Sequence, residues 1–201
     1  IGGLRAAGQL IAYELPMVLA VVGVVIQAGT MNLSGIVAAQ ANGEIFGINA
    51  IGSPYFITQF VGLAIFLIAV QAELGQTPFD MPIAESELVT GYITEYSGLR
   101  FLLFFIGEFA SAGAFAAVAA TLFLGGWAVP SAWADLDSAW FNLLGPLIML
   151  TKMMLLGGLI FFVRFTFPRF REDQLQRLAW TVLIPISLAN ILVTTILKVA
   201  F

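Results

Sequence analysis

Residues 77–100 read TPFDMPIAESELVTGYITEYSGLR, and their place between long apolar runs decides the fold. Asp80, Glu85, Glu87 and Glu95 are four of the chain's 12 acidic residues, and no Lys or Arg stands among them. The flanking runs, about 55–74 and 100–124, are each long enough to cover a bilayer's hydrocarbon core, which takes about 20 helical residues. The acidic, Pro-punctuated stretch therefore connects two membrane spans.

Composition supports that reading. Of 201 residues, 60% are hydrophobic and 10% charged, with a mean hydropathy of +0.99. Soluble domains average about 45–50% apolar and about 25% charged residues. The expected fold class is an all-α integral membrane protein, a single transmembrane helical domain over 1–201. Five spans are expected, at about 4–28, 55–74, 100–124, 141–164 and 178–199, joined on one side by loops 75–99 and 165–177. Helices are the expected element because lipid cannot satisfy a bare backbone and the alternation of a barrel is absent. Pro16, Pro146 and Pro185 fall inside spans.

If the spans alternate, Arg5, Arg100, Arg164, Arg169, Arg171 and Arg177 share one side. Glu44, Asp135, Asp137 and Lys198 lie on the other. The positive-inside rule places the arginine side, and the acidic loop with it, in the cytoplasm or its equivalent. Trp127, Trp133 and Trp140 cluster around the 124–141 connection, as interfacial tryptophans do.

Missing residue types exclude whole chemistries. With no Cys and no His, the chain cannot ligate an iron–sulfur cluster, a zinc ion or an ordinary haem. No Gly-rich nucleotide motif is present. A pI near 4.6 argues against a nucleic-acid partner. The chain opens on Ile1 without a charged leader, and the expectation is that it is the later part of a longer protein.

Ionisable groups within the spans are the candidate functional residues. Glu14 and Glu108 fall about 15 Å and 12 Å deep at 1.5 Å per residue. Lys152 falls midway along its span, and Glu73 at the inner end of the second. Charges at such depth are costly and usually face a bundle interior or water. Such a set can act as structural glue between helices. It can also relay protons, since acids near a lysine titrate as a coupled group; the relay is the preferred expectation. Pro16 removes a hydrogen bond to the Ala12 carbonyl and favours a hydrated path there. In the 77–100 stretch, four carboxylates could be a solvated face. Phe79, Met81, Val89, Tyr92 and Ile93 favour a segment folded back onto protein, where carboxylates titrate near working pH.

Three stretches carry a family resemblance. PFDMPIAESELVTGYITEYSGLRFLLFFIGEF (Pro78–Phe109), LRAAGQLIAYELP (Leu4–Pro16) and VRFTFPRFREDQLQRLAW (Val163–Trp180) resemble signatures of one family of respiratory complex I, that of mitochondrial NADH dehydrogenase subunit 1 and its bacterial counterparts. The resemblance covers the whole chain and implies a membrane subunit of a proton-pumping NADH:quinone oxidoreductase, not catalytic alone. Members of the family have eight spans, so the last five are expected here. The resemblance further implies a proton path through Glu14, Glu73, Glu108, Lys152, Asp80, Glu85 and Glu87. It implies a quinone chamber and docking surface at Phe79, Asp80, Arg164, Arg169, Arg171 and Asp173. Quinone is then the substrate, with iron–sulfur clusters, flavin and NADH on partner subunits of the membrane and peripheral arms. Gln76 and Ile83 depart from the family pattern, which has Arg and Glu at those places. The departures leave open the equivalent subunit of a ferredoxin- or F420-linked dehydrogenase or of a membrane-bound hydrogenase.

Overall fold

The computed structural model describes residues 1–43, 53–83, 89, 91–128 and 139–200. Glu44, Trp133, Asp135 and Asp137 lie outside the described residues. Among the described residues, every regular element is helical. The elements are α1 (Gly2–Ala28), α2 (Leu33–Asn42), α3 (Tyr55–Thr58), α4 (Phe60–Glu73), α5 (Leu99–Phe123), α6 (Ala139–Thr166), α7 (Glu172–Leu178) and α8 (Ile184–Ala200). A 3₁₀ turn at Gly91–Ile93 precedes α5, and a π turn at Ala179–Leu183 fuses α7 to α8.

Four of the described helical stretches are long and apolar enough to cross a membrane: Gly2–Ala28, Leu99–Phe123, Leu144–Thr166 and Glu172–Ala200. The chain is a multi-pass membrane protein. The expected second span differs from its four neighbours. It is broken at Gln59 (φ −112°, ψ 34°), and its longer piece, α4, has 14 residues. The reason lies in the side chain. Gln59 Nε2 donates to Thr194 Oγ1 at 2.7 Å, and Asn190 Nδ2 donates to Gln59 Oε1 at 2.8 Å. A local helix break is tolerated in an apolar bundle when neighbouring helices satisfy the polar groups it presents.

Contacts fix the order of the bundle. Gln9 meets Ala72 while Gln27 meets Thr58, so α1 and α3–α4 run antiparallel. Tyr13 meets Leu175 and Lys198 meets Ile26, so α8 runs alongside α1 in the same direction. Glu108 meets Arg164 and Leu124 meets Lys152, so α5 and α6 are antiparallel. The small residues Ala112, Ala116, Ala119 and Ala120 are all buried on α5, allowing close approach without large side chains. The helix directions bring Glu73, Arg100, Arg164 and the Arg5–Glu172 contact (3.1 Å) to one end of the bundle.

Helix ends follow their sequences. Gly29 (φ 75°) closes α1 with its N–H on Val25 O at 2.8 Å, a left-handed cap suited to glycine. α1 itself continues through Pro16, with Ala12 and Pro16 both buried. Pro185 has no N–H for a partner four residues back, and the chain before it shifts register: Ile184 N–H bonds Ala179 O, five back. Two short helices, α2 and α7, were not expected; ten and seven residues are too few for a strong periodic signal.

Candidate functional site

The site is built on the turn that leaves α4. Gln9 of α1 reaches across and donates from Nε2 to Ala72 O (2.6 Å) and Phe79 O (2.8 Å). Gln71 Nε2 donates to Thr77 O at 2.9 Å, and Thr77 Oγ1 donates to Arg164 O at 3.0 Å. Phe170 N–H donates to Pro78 O at 3.0 Å. The Phe79 ring lies edge-on to Tyr13 (5.5 Å) and against Phe170 (5.7 Å). Residues 75–83 are thereby packed back onto the bundle, with Phe79 and Met81 in the core. Asp80, between those two anchors, is left half-buried.

A cavity of about 1220 Å³ opens beside Asp80. Glu73, Gln76, Asp80 and Glu108 contribute its acidic and amide wall, together with Arg100, Arg164 and Arg169. Ile83, Tyr92, Tyr96, Phe101, Phe104 and Phe115 add apolar and aromatic surface to the same lining. Phe104 receives both tyrosines edge-on, with Tyr96 at 5.0 Å and Tyr92 at 6.4 Å. Within this lining, Arg164 Nη1 donates to Glu108 Oε1 at 3.1 Å.

Electrostatics in this space favour proton uptake at Asp80. Burial raises its carboxyl pKa above the ordinary value, Arg169 opposes the rise, and Glu108 adds to it. A hydrogen bond from the Ile83 backbone and the charge of Arg164 oppose it further. The Tyr92 phenol is also pushed up, first by burial and then by the nearby charges of Glu108 and Asp80. Glu14 on α1 is exposed.

The structure gathers part of the expected set. Glu73, Asp80, Glu108, Arg164 and Arg169 line one cavity, and the exposed Glu14 is not part of that lining. Lys152 does not join them. Its Nζ donates to Leu124 O (2.7 Å) and Gly126 O (2.8 Å), capping the carbonyl end of α5. Lys152 lies 12 residues before Arg164, about 18 Å along α6 from the Glu108 contact. The expected Glu–Lys cluster is corrected accordingly: a lysine at a helix C-terminus satisfies carbonyls that lipid would leave bare. Phe79 is 4% exposed and packs in the core rather than lining the cavity. Arg171 and Asp173 form a solvent-facing pair (3.5 Å) at the start of α7. Glu85 and Glu87 lie outside the described residues.

Sequence reasoning passed over the aromatic wall. Phe101, Phe104, Glu108, Ser111 and Phe115 recur at spacings of 3 and 4 along α5, and all face the cavity. That stripe of rings interrupted by an acid and a hydroxyl was the available signal, submerged in a helix apolar on every side.

The comparisons with known proteins agree with one another. The family model described as NADH dehydrogenase matches residues 1–195. A subunit of the NADH-quinone oxidoreductase of Bacillus thuringiensis subsp. konkukian (strain 97-27) is 45% identical over 202 residues, covering 100% of this chain and 55% of that protein. Its counterpart in Bacillus cereus (strain AH187) is 44% identical over the same extent. The chain spans about half the length of the curated relatives it matches. With one family matched from Ile1 almost to the last residue and relatives 44–45% identical over the whole chain, the chain belongs to the NADH dehydrogenase family.

Proposed function

We propose that this chain forms a wall of the quinone-binding chamber, and the first acids of the proton path leading from it, in a proton-pumping NADH:quinone oxidoreductase. The observation that carries the proposal is the cavity's mixed lining, in which acids and an amide stand together with aromatic rings. A quinone has the matching halves: two carbonyls that gain two electrons and two protons on reduction, and an apolar ring and tail. The Bacillus relatives, as subunits of an NADH-quinone oxidoreductase, supply the reaction class.

In this reading Asp80 is the acid nearest the reacting head group, and Glu108, Glu73 and Glu14 continue inward. Glu85 and Glu87 belong to the same acidic segment. Arg164 holds Glu108 in place, while Arg169 sets the charge beside Asp80. α3 and α4 together make the fifth membrane crossing, and the arginine-rich end faces the cytoplasm. Exposed Arg171 and Asp173 offer a docking surface to a peripheral subunit, since a guanidinium can hold a partner carboxylate in two parallel bonds. NADH, flavin and iron–sulfur clusters belong to those partner subunits.

The test is to measure quinone-dependent turnover and donor oxidation by an artificial acceptor on the same membranes carrying Asp80→Asn. Loss of the first with survival of the second is expected. Unchanged quinone turnover would remove Asp80 from the mechanism. A wild-type complex that never reduces quinone would point to a hydrogenase-type assembly.

A further inference from the structure

Tyr92 is a titratable group in the cavity lining that the scheme above leaves without a task. The 3₁₀ turn that carries it, Gly91–Ile93, is seated against the acidic turn. Gly91 approaches Pro82 O so closely that no Cβ fits, and Pro82 stands two residues after Asp80. From there the Tyr92 ring reaches α5 and meets the Phe104 ring edge-on at 6.4 Å. Phe104 stands four residues before Glu108 on that helix, a spacing that sets Cβ atoms about 5–6 Å apart on one face. The backbone of Tyr92 thus adjoins the turn of one acid, and its ring adjoins the helix face of the other. The electrostatics agree with this placement. Burial raises the phenol pKa most, and the charges of Glu108 and then Asp80 raise it further. Among the described residues the phenol oxygen has no hydrogen-bond partner, and the side chain is 44% exposed. A cavity of about 1220 Å³ has room for water to bridge that hydroxyl to carboxyl groups in the same lining.

We propose that Tyr92 is the proton-transferring link between Glu108 and Asp80, acting through cavity water on either side of its hydroxyl. This rests on the proton-path reading above. A phenol donates and accepts at once, so it passes a proton without keeping one. Once Asp80 has given its proton to the reduced quinone, the Tyr92 O–H bond breaks as its proton moves toward the Asp80 carboxylate. A new O–H bond forms on Tyr92 with a proton drawn from the Glu108 carboxyl group. Asp80 ends protonated, the phenol is unchanged, and Glu108 ends ionised against the Arg164 guanidinium. Burial and two nearby carboxylates disfavour a phenolate at this place. The two transfers are therefore concerted, and no charge rests on the ring.

Membranes containing the assembled complex test this with Tyr92→Phe, Asp80→Asn and the double variant side by side. Tyr92→Phe keeps the ring and its contact with Phe104 and removes only the hydroxyl. It should lower kcat for quinone turnover about tenfold or more, with KM for quinone and artificial-acceptor activity kept. The solvent deuterium isotope effect on kcat should rise, because proton delivery becomes the slow step. A packing or quinone-holding role would raise KM and leave the isotope effect in place. Residues that act in series are not additive, so the double variant should be no slower than the slower single one. Wild-type kcat in Tyr92→Phe overturns the proposal, as does a raised KM with an unmoved isotope effect, or losses that multiply in the double variant. If Asp80→Asn also keeps full turnover, the proton-path reading itself fails; if Asp80→Asn loses turnover while Tyr92→Phe does not, only the role of Tyr92 does.

Discussion

Glu108 on α5 and Arg164 on α6 meet at 3.1 Å across the inner half of the bundle, each about one-quarter exposed. Arg164 also lies 6.0 Å from the centroid of the Phe109 ring, which stacks on Phe161 of α6 at 5.3 Å. One guanidinium thus joins two helices by charge and by its flat face, and borders the cavity at the same time. Its backbone carbonyl holds Thr77, so the acidic turn is fastened to the same residue.

Removing either partner of this pair leaves an uncompensated charge in a half-buried wall. Arg164→Met and Glu108→Gln should each lower the thermal stability of the complex, and the double variant should recover part of the loss. A coupling of about 1–2 kcal/mol in a double-mutant cycle is expected for groups in direct contact. Strict additivity would show that the two side chains do not act as a pair.

Lys152 gives the opposite expectation. As a cap on the Leu124 and Gly126 carbonyls, it contributes stability, of about 1.5–3 kcal/mol for a charged hydrogen-bonding group. Lys152→Met should lower the unfolding temperature while the assembled complex keeps its turnover and its pH profile. Normal stability with lost proton pumping would return Lys152 to the proton path.

Asp80 makes stability depend on pH in a definite direction. Its folded pKa lies above the ordinary carboxylate value of 3.8, chiefly through burial. The folded state therefore holds this proton more tightly than the unfolded state. The associated stability is complete below the unfolded pKa and is lost as pH rises through the folded one. Asp80→Asn should raise the unfolding temperature at neutral pH relative to wild type, with the difference vanishing toward about pH 4. A constant difference across that range would contradict the assignment.

Gly91 and Gly98 separate backbone strain from steric fit. Both have positive φ, 58° and 60°, a sparsely populated backbone region that costs an L side chain about 1–3 kcal/mol. At Gly91 that atom would fall 2.0 Å from Pro82 O, whereas at Gly98 it meets nothing within 4 Å. Gly98→Ala should cost only the backbone term. Gly91→Ala must also push apart the turn that frames Asp80, and should cost clearly more in stability and in quinone turnover. Equal losses would mean that the Pro82–Gly91 approach imposes no constraint.

The sequence by itself determined the class of the molecule and the location of most helices. Apolar runs of about 20 residues with almost no charge have one stable form in lipid, so α1, α5 and α6 lie within two residues of their expected limits. It also singled out the acids, because an ionisable group in such a run stands out against a uniform background. The motifs at 4–16, 78–109 and 163–180 carried the family. What the sequence could not determine was which charges meet. Depth along a helix is legible from residue number, but rotation about the helix axis and the pairing of helices are not. That is why the side chain of Lys152, midway along α6, meets the carbonyl end of α5 and not an acid, and why Arg164, expected at a span's edge, is the partner of Glu108. The break at Gln59 has the same origin, since its polar side chain gains bonds to Asn190 and Thr194 only once α8 has packed against α4. The buried amide of Gln76 was visible only as a departure from a pattern. Its burial is a property of the fold, since only packing of the 75–83 turn onto the bundle removes that side chain from solvent.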